Sequence, residues 1–408
     1  MVFWQATSTK IKAGEYISSD EYTYEIIKEL NDGKMAIAYH AKRSDGLDIF
    51  LKHTKDPNEY SDQYKSYVNA QHKILVILNR VGSQFVEKNY EYFEFKGRHF
   101  QAKEFLKGSD LKTKIWTKNQ NERMNFSTRI EVIIMLANLV KKIHDNDLIH
   151  SDLKPEQIFV TPDSSSKIGY NMKIIDFDHS IVPSQNIYIP AGTPTWYSPE
   201  HNREDKRVGA YSDIFTLGNM FYTIITGGLK PFADYVSSDS EYKSAITKTN
   251  SVKELKILNP NFPEVLSDLI KSMLHPNFEK RPTSAEVCST LEKFKKDLEK
   301  PKFIKIFMGS KSRIITNSEK FTRALAKSSF DNYKEIFTNQ FEIILDTQGD
   351  WFIKGLPVPK TAKTKTGESV FFYPTKINEM DITNKIIKLE DEMVISIGKI
   401  QLKVKTKN

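Results

Sequence analysis

The sequence predicts an α+β chain with a small β-rich lobe, a larger helical lobe, and a small β-sandwich-like domain behind them. Three observations lead there. Between Tyr22 and Lys52, short alternating segments are split by Asn31-Asp32-Gly33 and Ser44-Asp45-Gly46, as in antiparallel strands joined by tight turns. After Gly108 the texture changes to long amphipathic helices. After about Leu298, past Lys300-Pro301, it changes again to β-branched runs.

Taken in order, residues 1–20 are polar and irregular and read as an N-terminal extension. The first domain then runs over 21–299 and the second over 300–408. Residues 58–79 have helical spacing, with Tyr64, Tyr67, Ile74, Leu75 and Leu78 on related faces. Two strands follow, around 86–95 and 98–104, split by the turn Lys96-Gly97-Arg98. The clearest helix spans Ser127 to Ile143, with Ser127 as its cap. In the last domain, Phe303–Phe307, Phe341–Leu345 and Val394–Ile400 read as strands.

A chain of 408 residues exceeds one typical domain, and its 39% hydrophobic content suffices for real cores. No apolar run approaches the roughly 18 residues that span a bilayer, so no membrane contact is expected. Cys288 stands alone, which excludes a disulfide framework and a thiol metal site and fits a cytoplasmic protein. The net charge of +8 is uneven: residues 301–408 carry +7 and the first 300 only +1. With no aromatic-interleaved basic cluster, this reads as a lysine-rich surface and not as a nucleic-acid interface.

The chemistry concentrates in His150-Ser151-Asp152-Leu153-Lys154-Pro155-Glu156-Gln157, followed by Asp176-Phe177-Asp178. Further on come Gly192-Thr193-Pro194-Thr195-Trp196-Tyr197-Ser198-Pro199-Glu200, Ser212-Asp213-Ile214-Phe215-Thr216-Leu217-Gly218, Thr226-Gly227-Gly228-Leu229-Lys230-Pro231-Phe232 and Lys280-Arg281-Pro282-Thr283. A lone Asp in a loop is usually a cap or turn residue; order and spacing over about 130 residues overturn that reading. The series resembles the eukaryotic-type serine/threonine protein kinases, which implies a two-lobed protein kinase fold, ATP and Mg²⁺ as cofactors, and protein Ser/Thr substrates. Phosphoryl transfer needs an aligned hydroxyl, metal on the phosphates and positive charge at the transferring group. The resemblance makes Asp152 the catalytic base, Lys154 its partner, Asp176 a metal ligand and Gln157 a second one. It puts Lys52 on the phosphates and Asn31, Gly33 and Ala36 in the phosphate-covering loop. Glu104 and Leu106 fall at the adenine hinge, Asp110 at the ribose, and Gln71 on the helix facing Lys52. Arg281 would pair with Glu200.

This chain also departs from the kinase pattern. Asn31 and Ala36 stand where the family has glycines that let backbone N–H groups approach phosphate. Gln71 stands for a glutamate, and cannot give a charge-assisted bond to Lys52. Phe50 replaces a small residue above the adenine and Lys103 lies behind it. Gln157 stands for Asn, Asp178 for Gly (adding a carboxylate near the metals), and Ser151 for the Arg that reads activation-loop phosphorylation. Two readings follow: an active kinase with an atypical nucleotide lobe, or a pseudokinase scaffold that holds a partner protein.

The last domain resembles a degenerate forkhead-associated domain at Ile387–Glu390 and Ile395–Ile400, with Asn339–Ile343 and Thr322-Arg323 near other positions of that family. Arg323 matches an expected phosphate ligand, Phe337 and Gln340 replace the usual Ser and His, and Asn378-Glu379 stands for an Asn-Gly pair. The resemblance implies docking of a phosphoprotein or another partner.

Overall fold

The computed structural model describes residues 10–33, 36–55, 62–115, 124–188, 192–202, 208–232, 238–248, 252–255, 262–299, 303–308, 311–322, 339–345, 351–358, 361–363, 369–371, 373–390, 392–397 and 400–407. Two compact units divide the chain, Met1–Phe294 and Lys295–Asn408. Among the described residues, no helix is long and apolar enough to cross a membrane.

In the first unit, the alternating segments pair as an antiparallel sheet. Its strands are β1 (Tyr16–Ser18), β2 (Thr23–Asp32), β3 (Ala36–Arg43), β4 (Asp48–Thr54), β5 (Asn89–Phe95) and β6 (Arg98–Glu104), in the order β1-β2-β3-β4-β6-β5. Helix α1 (Asp62–Val81) lies between β4 and β5 in the chain. Strand periodicity sorts the residues onto two faces. Ile37, Tyr39, Ala41, Ile49, Leu51, Phe100 and Ala102 bury one face with Ile17, Tyr24 and Ile26. The alternate residues turn the other way, and the register sets Ala38 beside Lys52, His40 beside Phe50, Phe50 beside Lys103 and Lys52 beside Gln101.

The helical part begins after β7 (Ser109–Asp110), with α2 (Leu111–Ile115) and α3 (Phe126–His144). Gly108, at φ 152°, permits the close crossing there, since a Cβ would sit 2.0 Å from the Val160 carbonyl oxygen. The cap of α3 is Asn125, not Ser127: the Asn125 side chain accepts from the Thr128 N–H, while Ser127 lies inside the first turn. Strands β8 (Ile158–Pro162) and β9 (Tyr170–Ile174) extend β7 into a small sheet, and β10 (Ile181–Val182) pairs with β11 (Ile187–Tyr188). Next come α4 (Ala210–Ile225), α5 (Asp239–Ile246), α6 (Glu264–Met273) and α7 (Ser284–Glu299). Helix α4 is buried from Ser212 to Ile225. Its Gly218 allows α6 to press in, because a Cβ there would meet the Met273 Cβ at 2.8 Å.

The second unit holds β12 (Phe303–Met308), β13 (Lys311–Ile315), β14 (Glu319–Thr322), β15 (Asn339–Leu345), β16 (Trp351–Gly355) and β17 (Thr361–Lys363). After them come β18 (Ser369–Phe371), β19 (Thr375–Ile377), β20 (Met380–Asp381), β21 (Ile386–Lys388), β22 (Val394–Ile397) and β23 (Ile400–Lys407). One antiparallel sheet runs β13-β12-β23-β22-β19-β20 and another β14-β15-β16-β21. Their inward residues share a core that includes Ile306, Ile395 and Val404 from the first and Phe341, Ile353 and Trp351 from the second. The run Val394–Ile400 is not one strand. It is the whole of β22 and the first residue of β23, with Ile397 opposite Ile400 in the antiparallel pairing.

Candidate active site

The loop after α3 is built around Asp213 of α4. Its carboxylate, 1% exposed, accepts the backbone N–H groups of His150 and Ser151 at 2.9 Å each and approaches His144 Nε2 at 3.0 Å. To present both N–H groups to one carboxylate, Ser151 takes a left-handed φ of 62°. Burial opposes ionisation of Asp213, but the His144 contact and the loop N–H groups hold its carboxyl below the usual range. The loop backbone is thereby fixed from beneath.

Asp152 emerges from this support. Its Oδ2 accepts from Lys154 Nζ at 2.7 Å and its Oδ1 from Thr193 Oγ1 at 2.7 Å. Lys154 Nζ also donates to Thr193 Oγ1 at 2.7 Å, which closes a triangle of carboxylate, ammonium and hydroxyl. The segment carrying Thr193 is anchored at its far end by Glu200, where Arg281 donates through both terminal nitrogens at 2.9 Å. Both side chains of that pair are sealed from solvent, and Ser212 Oγ adds a third bond at 3.1 Å.

Asp176 follows β9 at φ 63°. Lys52 Nζ, from β4, donates to Asp176 Oδ1 at 2.7 Å and to Asp178 Oδ2 at 2.6 Å. Gln157 Nε2 donates to Asp176 Oδ2 at 3.1 Å. Burial works against the charge of Asp176, yet Lys52 and then Lys103 hold its carboxyl well below the usual carboxylate range. Burial likewise works against the Lys52 ammonium, and the Asp176 and Asp178 carboxylates overcome it, raising the amine above its ordinary value. Phe177 is buried, with its ring 5.0 Å from that of His150.

Gln71 is not hydrogen-bonded to Lys52; its Nε2 donates to the Asp178 carbonyl oxygen at 3.1 Å. Behind the site lies a buried pair. Lys103 Nζ donates to Glu87 Oε1 at 2.6 Å, and the same oxygen accepts the Asp176 N–H at 3.2 Å. Sequence reasoning missed Glu87. Its one signal was Lys103 itself, since an ammonium on a strand between core residues demands a counter-charge.

The remaining predicted residues are placed as follows. Gly33 N–H donates to the Ala36 carbonyl oxygen at 3.0 Å, and Lys55, also unforeseen, donates to the Gly33 carbonyl oxygen at 2.8 Å and to Asp32. Asn31 lies on β2 opposite Ala38. Residues 34–35 lie outside the described residues. The Glu104 carboxylate accepts from Lys173 Nζ at 2.6 Å. Leu106 lies outside the strands, and its N–H has no partner among the described residues. Asp110 holds Thr113 through N–H and hydroxyl at 2.8 Å each, as a cap for α2.

Among the described residues, no three His, Cys, Asp or Glu side chains gather as a self-sufficient metal site. The donor chemistry still fits Mg²⁺, which is commonly held by one or two carboxylates plus substrate phosphates. Asp176 supplies the carboxylate, and half a turn of the Gln157 amide would present its oxygen to the same place.

In the second unit, Gln340 is buried and donates to the Tyr373 carbonyl oxygen at 3.0 Å and to Thr375 Oγ1 at 3.1 Å. It ties β15 to β19 and does not face a ligand. Asn378 and Glu379 take φ of 48° and 64°, the two-residue turn between β19 and β20. Arg323 and Phe337 lie outside the described residues.

A family model described as protein kinase domain matches residues 24–291. The serine/threonine-protein kinase DCLK3 of Mus musculus is 24% identical over 278 residues, 66% of this chain and 33% of that protein. A probable cAMP-dependent protein kinase catalytic subunit of Encephalitozoon cuniculi is 30% identical over 220 residues, 53% of this chain and 62% of that one. The probable serine/threonine-protein kinase PknB of Lactococcus lactis is 25% identical over 280 residues, 65% of this chain and 41% of that one. The chain thus spans less than two thirds of each relative's length.

Proposed function

The chain belongs to the protein kinase family, and from that footing we propose that residues 21–299 transfer a phosphoryl group from ATP to a serine or threonine hydroxyl of a protein. The observation that carries this reading is the triangle of Asp152, Lys154 and Thr193. A substrate hydroxyl that displaced the Thr193 hydroxyl from Asp152 Oδ1 would pass its proton to that oxygen. Lys154 holds the carboxylate in place at 2.7 Å and carries positive charge toward the reacting group.

Bound Mg²⁺–ATP would supply the phosphoryl donor and the cation that offsets its charge. Asp176 and Gln157 would hold the ion, and Lys52 the phosphates under the loop of Asn31, Gly33 and Ala36. The Glu104 and Leu106 backbone would take the adenine and Asp110 the ribose, with Gln71 steadying the segment behind Lys52. The test is the intact mass of the full chain, wild type and Asp152→Asn, after incubation with ATP, Mg²⁺ and a generic protein substrate. Phosphate gained only with the wild type is the expected outcome; equal transfer by both proteins sinks the assignment.

A second reading has its own observation. Lys52 is already held by two carboxylates, and Phe50 lies opposite Lys103 in the sheet, where the family resemblance puts the adenine. A scaffold that binds a partner without transfer would show no melting shift with Mg²⁺–ATP, whereas the kinase reading requires one. Residues 300–408 are taken as an accessory module, forkhead-associated-like in kind, that docks a protein partner. With Gln340 committed to the core, that partner need not carry a phosphate. A cytoplasmic site of action fits the single cysteine.

A further inference from the structure

Two of the departures from the kinase pattern lie against each other in space. Gln71 stands for a glutamate and Asp178 for a glycine, and the Gln71 amide holds the Asp178 carbonyl oxygen at 3.1 Å. The Asp178 carboxylate, in turn, lies 2.6 Å from the Lys52 ammonium. Resting on the kinase reading, we propose that the charge partner of Lys52 has moved from the helix to residue 178: Asp178 is the positioning residue for the lysine, and Gln71 anchors the backbone that carries it.

Exposure separates the two carboxylates on Lys52. The Asp176 side chain is 38% exposed, while that of Asp178 is 9% exposed. A buried carboxylate needs hydrogen bonds or an opposite charge to offset its lost hydration, and for Asp178 the Lys52 ammonium lies at hydrogen-bond distance. The arrangement divides the labour. Asp176 can turn to a cation without leaving the lysine unpartnered, because Asp178 keeps hold of it. A glycine at 178 would leave Asp176 to serve both. The exchange also removes helix α1 from the charge pair: its link through Gln71 is one neutral hydrogen bond, weaker than the ion pair a glutamate would make.

Charge transposition tests this on the full chain, with wild type, Asp178→Asn, Asp178→Gly and Gln71→Glu/Asp178→Gly. The first readout is independent of turnover: the rate at which Lys52 is acetylated by limiting acetic anhydride without nucleotide, mapped by peptide mass and normalised to the exposed Lys243. Only the free amine reacts, and an opposite charge at contact distance moves an amine by about one pK unit or more. Lys52 labelling should therefore rise about tenfold in both single variants and return close to wild type in the double variant. The second readout is phosphate transfer, which should fall about tenfold or more in the single variants and recover at least tenfold when the charge returns at residue 71. A carboxylate that merely fills space would not be replaced from the helix. Unchanged labelling in the single variants, or a double variant as reactive as Asp178→Gly, overturns the proposal. If labelling follows the expected pattern while no form, wild type included, transfers phosphate, the kinase reading fails and the assignment of Asp178 stands.

Discussion

The hydroxyl side of the site, around Asp152, and the nucleotide side, around Lys52 and Lys103, solve the problem of holding charge in different ways. On the hydroxyl side, buried charges meet partners supplied by the motif series itself. Asp213 takes the loop N–H groups, Arg281 takes Glu200, and Thr193 completes Asp152. On the nucleotide side, Lys103 meets Glu87, a residue outside the series, and Lys52 meets Asp178, where the pattern has no side chain. Roles that depend on backbone placement keep their residues, whereas a charge partner can move wherever geometry offers an equivalent contact. The second region can be rewired in a way the first cannot.

The largest effect should fall on the hydroxyl side. Asp152→Asn keeps the shape and loses the proton acceptor, so turnover should drop on the order of a thousandfold. The melting shift with Mg²⁺–ATP should persist, because residue 152 holds hydroxyl and lysine and not nucleotide. Loss of that shift together with turnover would mean that the two sides are not separable.

Arg281→Met should come next, measured by urea unfolding. It strands Glu200 in a site sealed from water, and a broken buried pair costs about 3 kcal/mol or more. Adding Glu200→Gln should recover part of this, though the bonds that Arg281 makes to the Tyr211 and His275 carbonyl oxygens would stay lost. A loss under about 1 kcal/mol would show that the docking segment is held by something else.

On the rewired side, Lys103→Met should cost less, about 2 kcal/mol, because the Asp176 N–H still bonds Glu87. Here the double variant Lys103→Met/Glu87→Gln should return most of the stability, since a neutral pair avoids the cost of burying two charges. The contrast with Arg281 is the point of the experiment. Full recovery at 87/103 with partial recovery at 200/281 would support the view that the first pair is exchangeable and the second built in. Equal recovery would erase the distinction.

How much of this was legible in the sequence follows the same division. The alternation from Tyr22 to Lys52 gave the strands, because a half-buried sheet must repeat every two residues. Asp152, Lys154 and Thr193 were legible as a group because they sit on one loop and one segment at fixed spacing. Glu87 was not, because nothing in the chain near Phe85-Val86 distinguishes a buried glutamate from a surface one. Asp178 was legible as a carboxylate added beside Asp176, but its bond to the Lys52 ammonium shows only once the strand that carries Lys52 is folded against it. Ser127 read as the cap because serine caps well; Asn125 is of an equally good capping type, and only the bond from the Thr128 N–H identifies it. In the second unit, Gln340 looked like part of a binding motif, and only its burial gives it to the core.

The smallest effect concerns an exception on the hydroxyl side. Lys230 lies with its Nζ 3.9 Å from the centre of the Trp196 ring and, among the described residues, has no carboxylate at ion-pair distance. Burial lowers its amine from 10.5 to about 8, with Glu156 pulling it back up and Lys112 pushing it further down. Below about pH 8 the amine is protonated in both folded and unfolded chains, so the cost of its charge is present in full. Between about 8 and 10.5 the unfolded chain binds the proton that the folded one has released, so folding stability should rise with pH across that window. Lys230→Met lacks this term, so the stability of the wild type relative to the variant should be flat up to about pH 8 and then climb. Urea midpoints at pH 7, 8, 9 and 10 for the two proteins measure it. Parallel curves would mean that the ammonium is well solvated or finds a counter-charge, and Lys230 would then be no exception on the hydroxyl side.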